Sequence, residues 1–145
     1  MLKKSAFLTL MVFAACTVLF AQGGKPVYDH AKICQVTVPS NWEVNGIIGL
    51  ANSPDNKVTV AVHSPTNSTS LTKTEETAPR YYPKDKITKN TATEFEMQGF
   101  SMLNDKPNFY RGIQIPGKVC LVEVTYESGT LDDARKIAET LKSAK

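Results

Sequence analysis

The chain is short of the side chains that usually carry chemistry. Its 145 residues include two histidines, His30 and His63, and three cysteines, Cys16, Cys34 and Cys120. No Cys-x-x-Cys and no His-Glu-x-x-His occurs, so the standard zinc patterns are excluded and no metal is expected. No Gly-x-Ser-x-Gly elbow and no Gly-rich phosphate loop occurs, so no cofactor is expected either. An excess of one charge is also missing. Lys and Arg number 17 against 14 Asp and Glu. Without Lys3 and Lys4 the basic side chains fall to 15, an excess of about one. No basic stripe survives that subtraction, which sets nucleic acid aside as a partner. The longest apolar run, Ala6 to Ala21, spans about 16 residues, below the roughly 20 of a bilayer-spanning helix.

That run has a use of its own. Lys3 and Lys4 precede it, Thr9, Cys16 and Thr17 interrupt it, and Gln22, Gly23, Gly24 and Lys25 follow it. A basic start, an apolar middle and a small residue before a polar flank read as a secretory signal peptide over residues 1–21. A second reading cuts before Cys16. Phe13-Ala14-Ala15-Cys16 is similar to a bacterial lipobox, which would hold the protein on a membrane through a lipidated Cys16. Val18, Leu19 and Phe20 extend the apolar run past that cysteine, which favours the cut at Gln22 and a periplasmic or extracellular protein. Cys34 and Cys120 are then an even pair in an oxidising compartment, as a disulfide requires. Two separate buried thiols are the alternative.

Residues 22–32, with Gly23, Gly24 and Pro26, read as a linker into a single domain over 33–145. Cys34, Val36 and Val38 alternate with Gln35 and Thr37, which predicts a strand with one buried face. Ser53-Pro54-Asp55-Asn56 is a turn signal before Val58, Val60 and Val62, so a hairpin is expected there. Residues 64–93 are polar, with a weak helical signal near Ser70 to Tyr82. Phe95 and Met97, then Phe100 and Met102, change phase at Gly99, which predicts a bulge. Pro116-Gly117 leads into Lys118 to Tyr126, apolar on both faces and so read as a central strand covered twice. Thr130 with Asp133 opens a helix whose stripe is Leu131, Ala134, Ile137, Ala138 and Leu141. The fold class expected is α+β, an antiparallel sheet with an amphipathic C-terminal helix packed across it.

Two groups of residues merit a functional reading. Arg80, Tyr81, Tyr82, Lys84, Lys86 and Lys89 gather basic and aromatic side chains in one stretch. Tyr and Arg are enriched at binding hot spots, so this is the candidate surface for an unidentified protein or small ligand. An ordinary solvated loop with docked tyrosines is the alternative. The second group is His63 with a free Cys34 or Cys120, the core of a dispersed enzyme site. Both cysteines lie on faces that read as buried, and a reactive thiolate needs an accessible, electropositive setting.

Four stretches together resemble the PsbP-like family, known from an extrinsic photosystem II subunit and from small exported bacterial proteins. They are VPSNWEV at Val38–Val44, SPDNKVTVAV at Ser53–Val62, GKVCLVEVTY at Gly117–Tyr126 and ARKIAETLKS at Ala134–Ser143. The resemblance implies a central antiparallel β-sheet flanked by helices on both faces. It implies no catalytic set, and an accessory or binding role. The function expected is therefore that of an exported non-catalytic binding protein. The alternative is an extracytoplasmic enzyme with a dispersed Cys/His site.

Overall fold

The computed structural model describes residues 23–66, 86–101, 104–127 and 130–145. The signal segment, Cys16, and Arg80, Tyr81, Tyr82 and Lys84 lie outside the described residues. The strands are β1 (Lys25–Tyr28), β2 (Cys34–Val38), β3 (Glu43–Asn45), β4 (Leu50–Asn52), β5 (Val58–Thr66), β6 (Lys86–Asn90), β7 (Glu94–Phe100), β8 (Pro107–Ile115) and β9 (Lys118–Tyr126). Helix α1 (Leu131–Glu139) and β10 (Lys142–Ser143) close the chain.

A central sheet flanked by helices does not form. The protein is mostly β, with two antiparallel sheets and, among the described residues, one short helix. The larger sheet has the order β3-β4-β5-β9-β8-β7-β6, and the smaller one β1-β2-β10. The two-sided apolar character of β9 has a different cause from the one expected. On its inner face Cys120, Val122, Val124 and Tyr126 share one core with Val27, Val36 and Val38 of the smaller sheet, Ala134 and Ile137 of α1, and Leu141 between α1 and β10. On its outer face Val119 and Leu121 join Phe95 and Met97 of β7 in a second, smaller cluster with Tyr110 against it. The inner face is thus covered jointly, by α1 over β9 and β8 and by β2 of the smaller sheet over β5 and β9.

Local chemistry explains the details. The β4–β5 turn forms where expected: the Ser53 amide donates to the Val58 carbonyl, the Val58 amide donates to Ser53 Oγ, and Asn56 takes a left-handed φ of 56°. Gly117, at φ 71°, turns β8 into β9. Gly99 makes no bulge. β7 pairs with β8 without interruption from Glu94↔Ile113 to Phe100↔Pro107, and the irregularity falls between Ile87 and Lys89 of β6. Phe100 is left exposed as a result. The stretch read as a linker carries β1, paired to β2 from Lys25↔Val38 to Tyr28↔Gln35. Thr130 does not cap α1 through its hydroxyl, which donates back to the Glu127 carbonyl at 2.7 Å.

Candidate functional site

In an antiparallel pair, directly opposed residues share a face. His63 opposes Leu121, and Tyr110 opposes Glu123. All four therefore stand on the outer face of the larger sheet. There the Glu123 carboxylate accepts from His63 Nε2 at 3.3 Å and from Asn108 Nδ2 at 3.0 Å. An ionised carboxylate only accepts, so His63 carries its proton on Nε2. The Tyr110 ring lies tilted 5.7 Å from the imidazole, centroid to centroid. The Glu123 side chain is 15% exposed and that of His63 38%, so the cluster is anchored in the sheet and opens at the imidazole. Asn108 is wholly buried, and its Oδ1 has no partner.

Burial alone pushes the Glu123 carboxyl up. The hydrogen bonds from His63 and Asn108, with the charge of His63, outweigh it and hold the group below the usual glutamate range. A carboxylate with a lowered folded pKa contributes stability that is fully present above its unfolded value of about 4.3. That contribution is lost as pH falls through the folded value. We expect melting temperature to fall on acidification below about pH 4.3. Glu123→Gln should flatten that fall without abolishing it, because Glu94 shifts in the same direction. Thermal melts across the acid range decide this, and an unchanged slope in the variant removes Glu123 from the account.

The inner face holds a second polar row. Arg111 donates to Glu96 at 2.6 Å and to Glu94 at 3.2 Å, and Lys89 pairs with Glu94. The Lys89 hydrogen bond lowers the Glu94 pKa, with burial opposing and the Arg111 charge assisting. Glu94 and Glu96, which alternation alone makes a solvated face, are thus the partners of a nearly buried guanidinium. Arg111 Nε remains buried and unpaired. Of the basic-aromatic stretch, Lys86 begins β6 and Lys89 is held by Glu94, while the other four residues are outside the described set.

The two sulfurs settle the geometry of the Cys/His alternative. Cys34 Sγ and Cys120 Sγ stand 2.07 Å apart, joining β2 to β9 in the inner core. Both residues are wholly buried. Cys120 precedes Leu121, which shares the outer face with His63, so the sulfur and the imidazole are on opposite faces of the sheet. Among the described residues no group of three or more His, Cys, Asp or Glu could hold a metal ion. No described helix is long and apolar enough to cross a membrane.

No protein-family model matches the chain, and no curated protein does. A solved structure does match: the solution structure of cyanobacterial PsbP (CyanoP) from Synechocystis sp. PCC 6803. The match covers 82% of this chain and 91% of that one, with a TM-score of 0.52 at 8% identity. The chain has a PsbP-like fold. At that identity the likeness is one of backbone path alone. The four sequence stretches that resemble the PsbP-like family fall on the end of β2 through β3, on the β4–β5 turn and β5, on β9 and on α1–β10, and none of them includes β1.

Proposed function

We propose that this chain is an exported, non-catalytic binding or accessory protein. The observation that carries the reading is the placement of its reactive groups. Its two described cysteines are at bonding distance from each other, on the sheet face that His63 does not share. His63 is itself spent on Glu123. The PsbP-like fold supports the same reading, since that family resemblance implies accessory roles. A photosynthetic role is not carried over with the fold. Export is supported by the signal-peptide pattern of residues 1–21 and by a cysteine pair suited to an oxidising compartment. The domain then starts at or just before β1, earlier than residue 33.

The proposed partner surface is the stretch Arg80, Tyr81, Tyr82, Lys84 and Lys86, with the tyrosines as anchors and the cations for steering. Lys89 contributes little to steering while Glu94 holds it. Cross-linking capture from the exported fraction tests this. Tyr81→Ala/Tyr82→Ala should weaken capture about thirtyfold or more, the loss expected of two buried aromatic anchors. Capture unchanged by the double substitution removes this stretch from the interface.

A further inference from the structure

The chain contains one Asn-Gly pair, Asn45-Gly46, and the fold puts it where β3 gives way to the turn into β4. Asn45 is the last residue of β3 and stands opposite Leu50. Asn45 and Gly46 are both exposed. The turn beyond them, Gly46-Ile47-Ile48-Gly49, stands in water, with Ile47 76% exposed and Ile48 55%. The Asn45 side chain folds back over the residues that follow it. Its Oδ1 accepts from the Ile47 amide at 3.2 Å, closing a ring that runs through the Gly46 nitrogen. The rest of the turn is tied down and keeps Ile47 in place. The Ile47 carbonyl accepts from His30 Nδ1 at 3.2 Å, and the Val62 amide donates to the Gly49 carbonyl at 2.8 Å. Among the described residues the Gly46 amide has no acceptor, so no ladder bond holds its nitrogen out of reach.

A main-chain nitrogen attacks the Cγ of a preceding asparagine most readily when its own residue has no Cβ to obstruct the approach. Asn41, Asn52, Asn56, Asn90, Asn104 and Asn108 are each followed by a residue with a side chain. Asn45 is followed by glycine, and its turn supplies a second aid. The Ile47 N–H polarises the Cγ carbonyl and donates to the charge that grows on Oδ1 as Cγ becomes tetrahedral, the role of an oxyanion-hole donor. We propose that Asn45 is a deamidation site, at which water converts the end of β3 to aspartate or isoaspartate. The Gly46 nitrogen gives up its proton to water and bonds to Cγ. The Cγ–Nδ2 bond breaks, and ammonia leaves with a proton returned from water. Water then adds to one of the two carbonyls of the succinimide that remains. Opening at Cγ gives aspartate, and opening at the main-chain carbonyl gives isoaspartate, with the chain running through the side chain. The sum is one water taken up and one ammonia released, with nothing oxidised or reduced. The turn gains a carboxylate, and the isoaspartate form gains a backbone methylene where β3 pairs with Leu50. This goes beyond the binding role proposed above and uses none of its residues.

The test is ageing of the folded, oxidised protein in warm neutral buffer, followed by anion exchange and peptide mapping. A more acidic form should accumulate. Its Asn45 peptide should be heavier by an oxygen less an NH group and should accept a methyl group from a protein isoaspartyl methyltransferase. It should appear ahead of the peptide of every other described asparagine. Gly46→Ala is the discriminating variant. The positive-φ glycine of this turn is Gly49, not Gly46, and a Cβ built on Gly46 meets nothing within 4 Å. The variant should therefore keep the parent's melting temperature. It should convert about tenfold more slowly, a barrier higher by about 1.4 kcal/mol. Asn45→Gln, which would have to close a larger imide ring, should form no acidic product at this position over the same period. Conversion of another described asparagine as early as Asn45 overturns the proposal, as do equal rates in wild type and Gly46→Ala. An acidic form that Asn45→Gln makes as fast as wild type overturns it too, and that comparison decides the matter if Gly46→Ala melts early.

Discussion

Replacing Cys34 and Cys120 together with alanine should lower the stability of the exported protein by about 4–5 kcal/mol. The bond closes a loop between residues 86 positions apart, and chain-entropy estimates for a loop of that length give a figure of this size. Its position adds to the effect. β2 pairs only with the four-residue β1 and the two-residue β10, so the smaller sheet has little hydrogen bonding of its own. The bridge fastens that sheet to β9 at the middle of the larger one. Urea melts of the oxidised protein, the reduced protein and the double variant measure the difference. The reduced protein and the variant should share a midpoint well below that of the oxidised protein. Intact mass of the unreduced protein supplies the premise: it should be about two hydrogen masses short, with no alkylatable thiol at Cys34 or Cys120. Two free thiols in native protein reject the bridge and return the thiol chemistry to consideration. A loss under about 1 kcal/mol would mean that the two sheets hold together without it.

Those two cysteines were legible in the sequence because they sit inside long alternating strands. Val36 and Val38 share a face with Cys34, and Val122 and Val124 share one with Cys120, so period-two reading turns both sulfurs inward. Trp42, Val58, Val60, Val62 and Ile137, readable as core by the same periodicities, are buried. What escaped is structure without a period of its own. β1 offers Val27 as its one buried side chain and begins with Lys25 and Pro26, an edge-strand composition that looks like a linker. β10 has no apolar residue at all and exists through its pairing with Gln35 and Cys34. Missing both strands hides the smaller sheet. The flanking helices of the expected fold came from the family resemblance, and only the C-terminal helix, read from its own periodicity, packs across the sheet on β9 and β8.

The polar rows escaped for a related reason. His63 and Glu123 are 60 residues apart, and Arg111 is 15 from Glu96. Only the register of β5 on β9, and of β7 on β8, brings them together. A sequence shows that Glu94 and Glu96 share a face but not that Arg111 stands opposite them. The exposed isoleucines mislead in the other direction. Ile47, Ile48 and Leu50 read as one apolar stretch, yet hydrophobicity carries no mark of which side chains a tight turn pushes into solvent. Turn composition was the available signal, since four residues without a polar side chain are unusual there.

Asp29→Ala should cost about 3–5 kcal/mol, close to the cost of losing the disulfide. Asp29 is wholly buried, and its carboxylate is satisfied by backbone amides alone. Oδ2 accepts from Ala31 at 2.7 Å, and Oδ1 accepts from Ile33 at 2.7 Å and from Cys34 at 2.6 Å. The backbone of the same residue closes the turn, its amide donating to Cys34 O and its carbonyl accepting from Lys32. Lys32 takes φ 53° within that frame, a conformation a lysine adopts only when its surroundings impose it. Truncation to alanine removes three hydrogen bonds to a charged acceptor and leaves the Cys34 amide buried without a partner. Asp29→Asn keeps an oxygen for Ile33 and Cys34 but replaces the other acceptor with a donor facing the Ala31 amide. It should cost less than alanine and more than a surface substitution. Asp29 and the disulfide meet at Cys34, so their effects should not add. In the protein lacking the bridge, Asp29→Ala should cost at least 1 kcal/mol less than in the oxidised protein, because freeing β2 releases the amides that the carboxylate was holding. Urea midpoints of the four members of that cycle measure the coupling. Additive losses would mean that the Asp29 turn and the bridge stabilise β2 independently of each other.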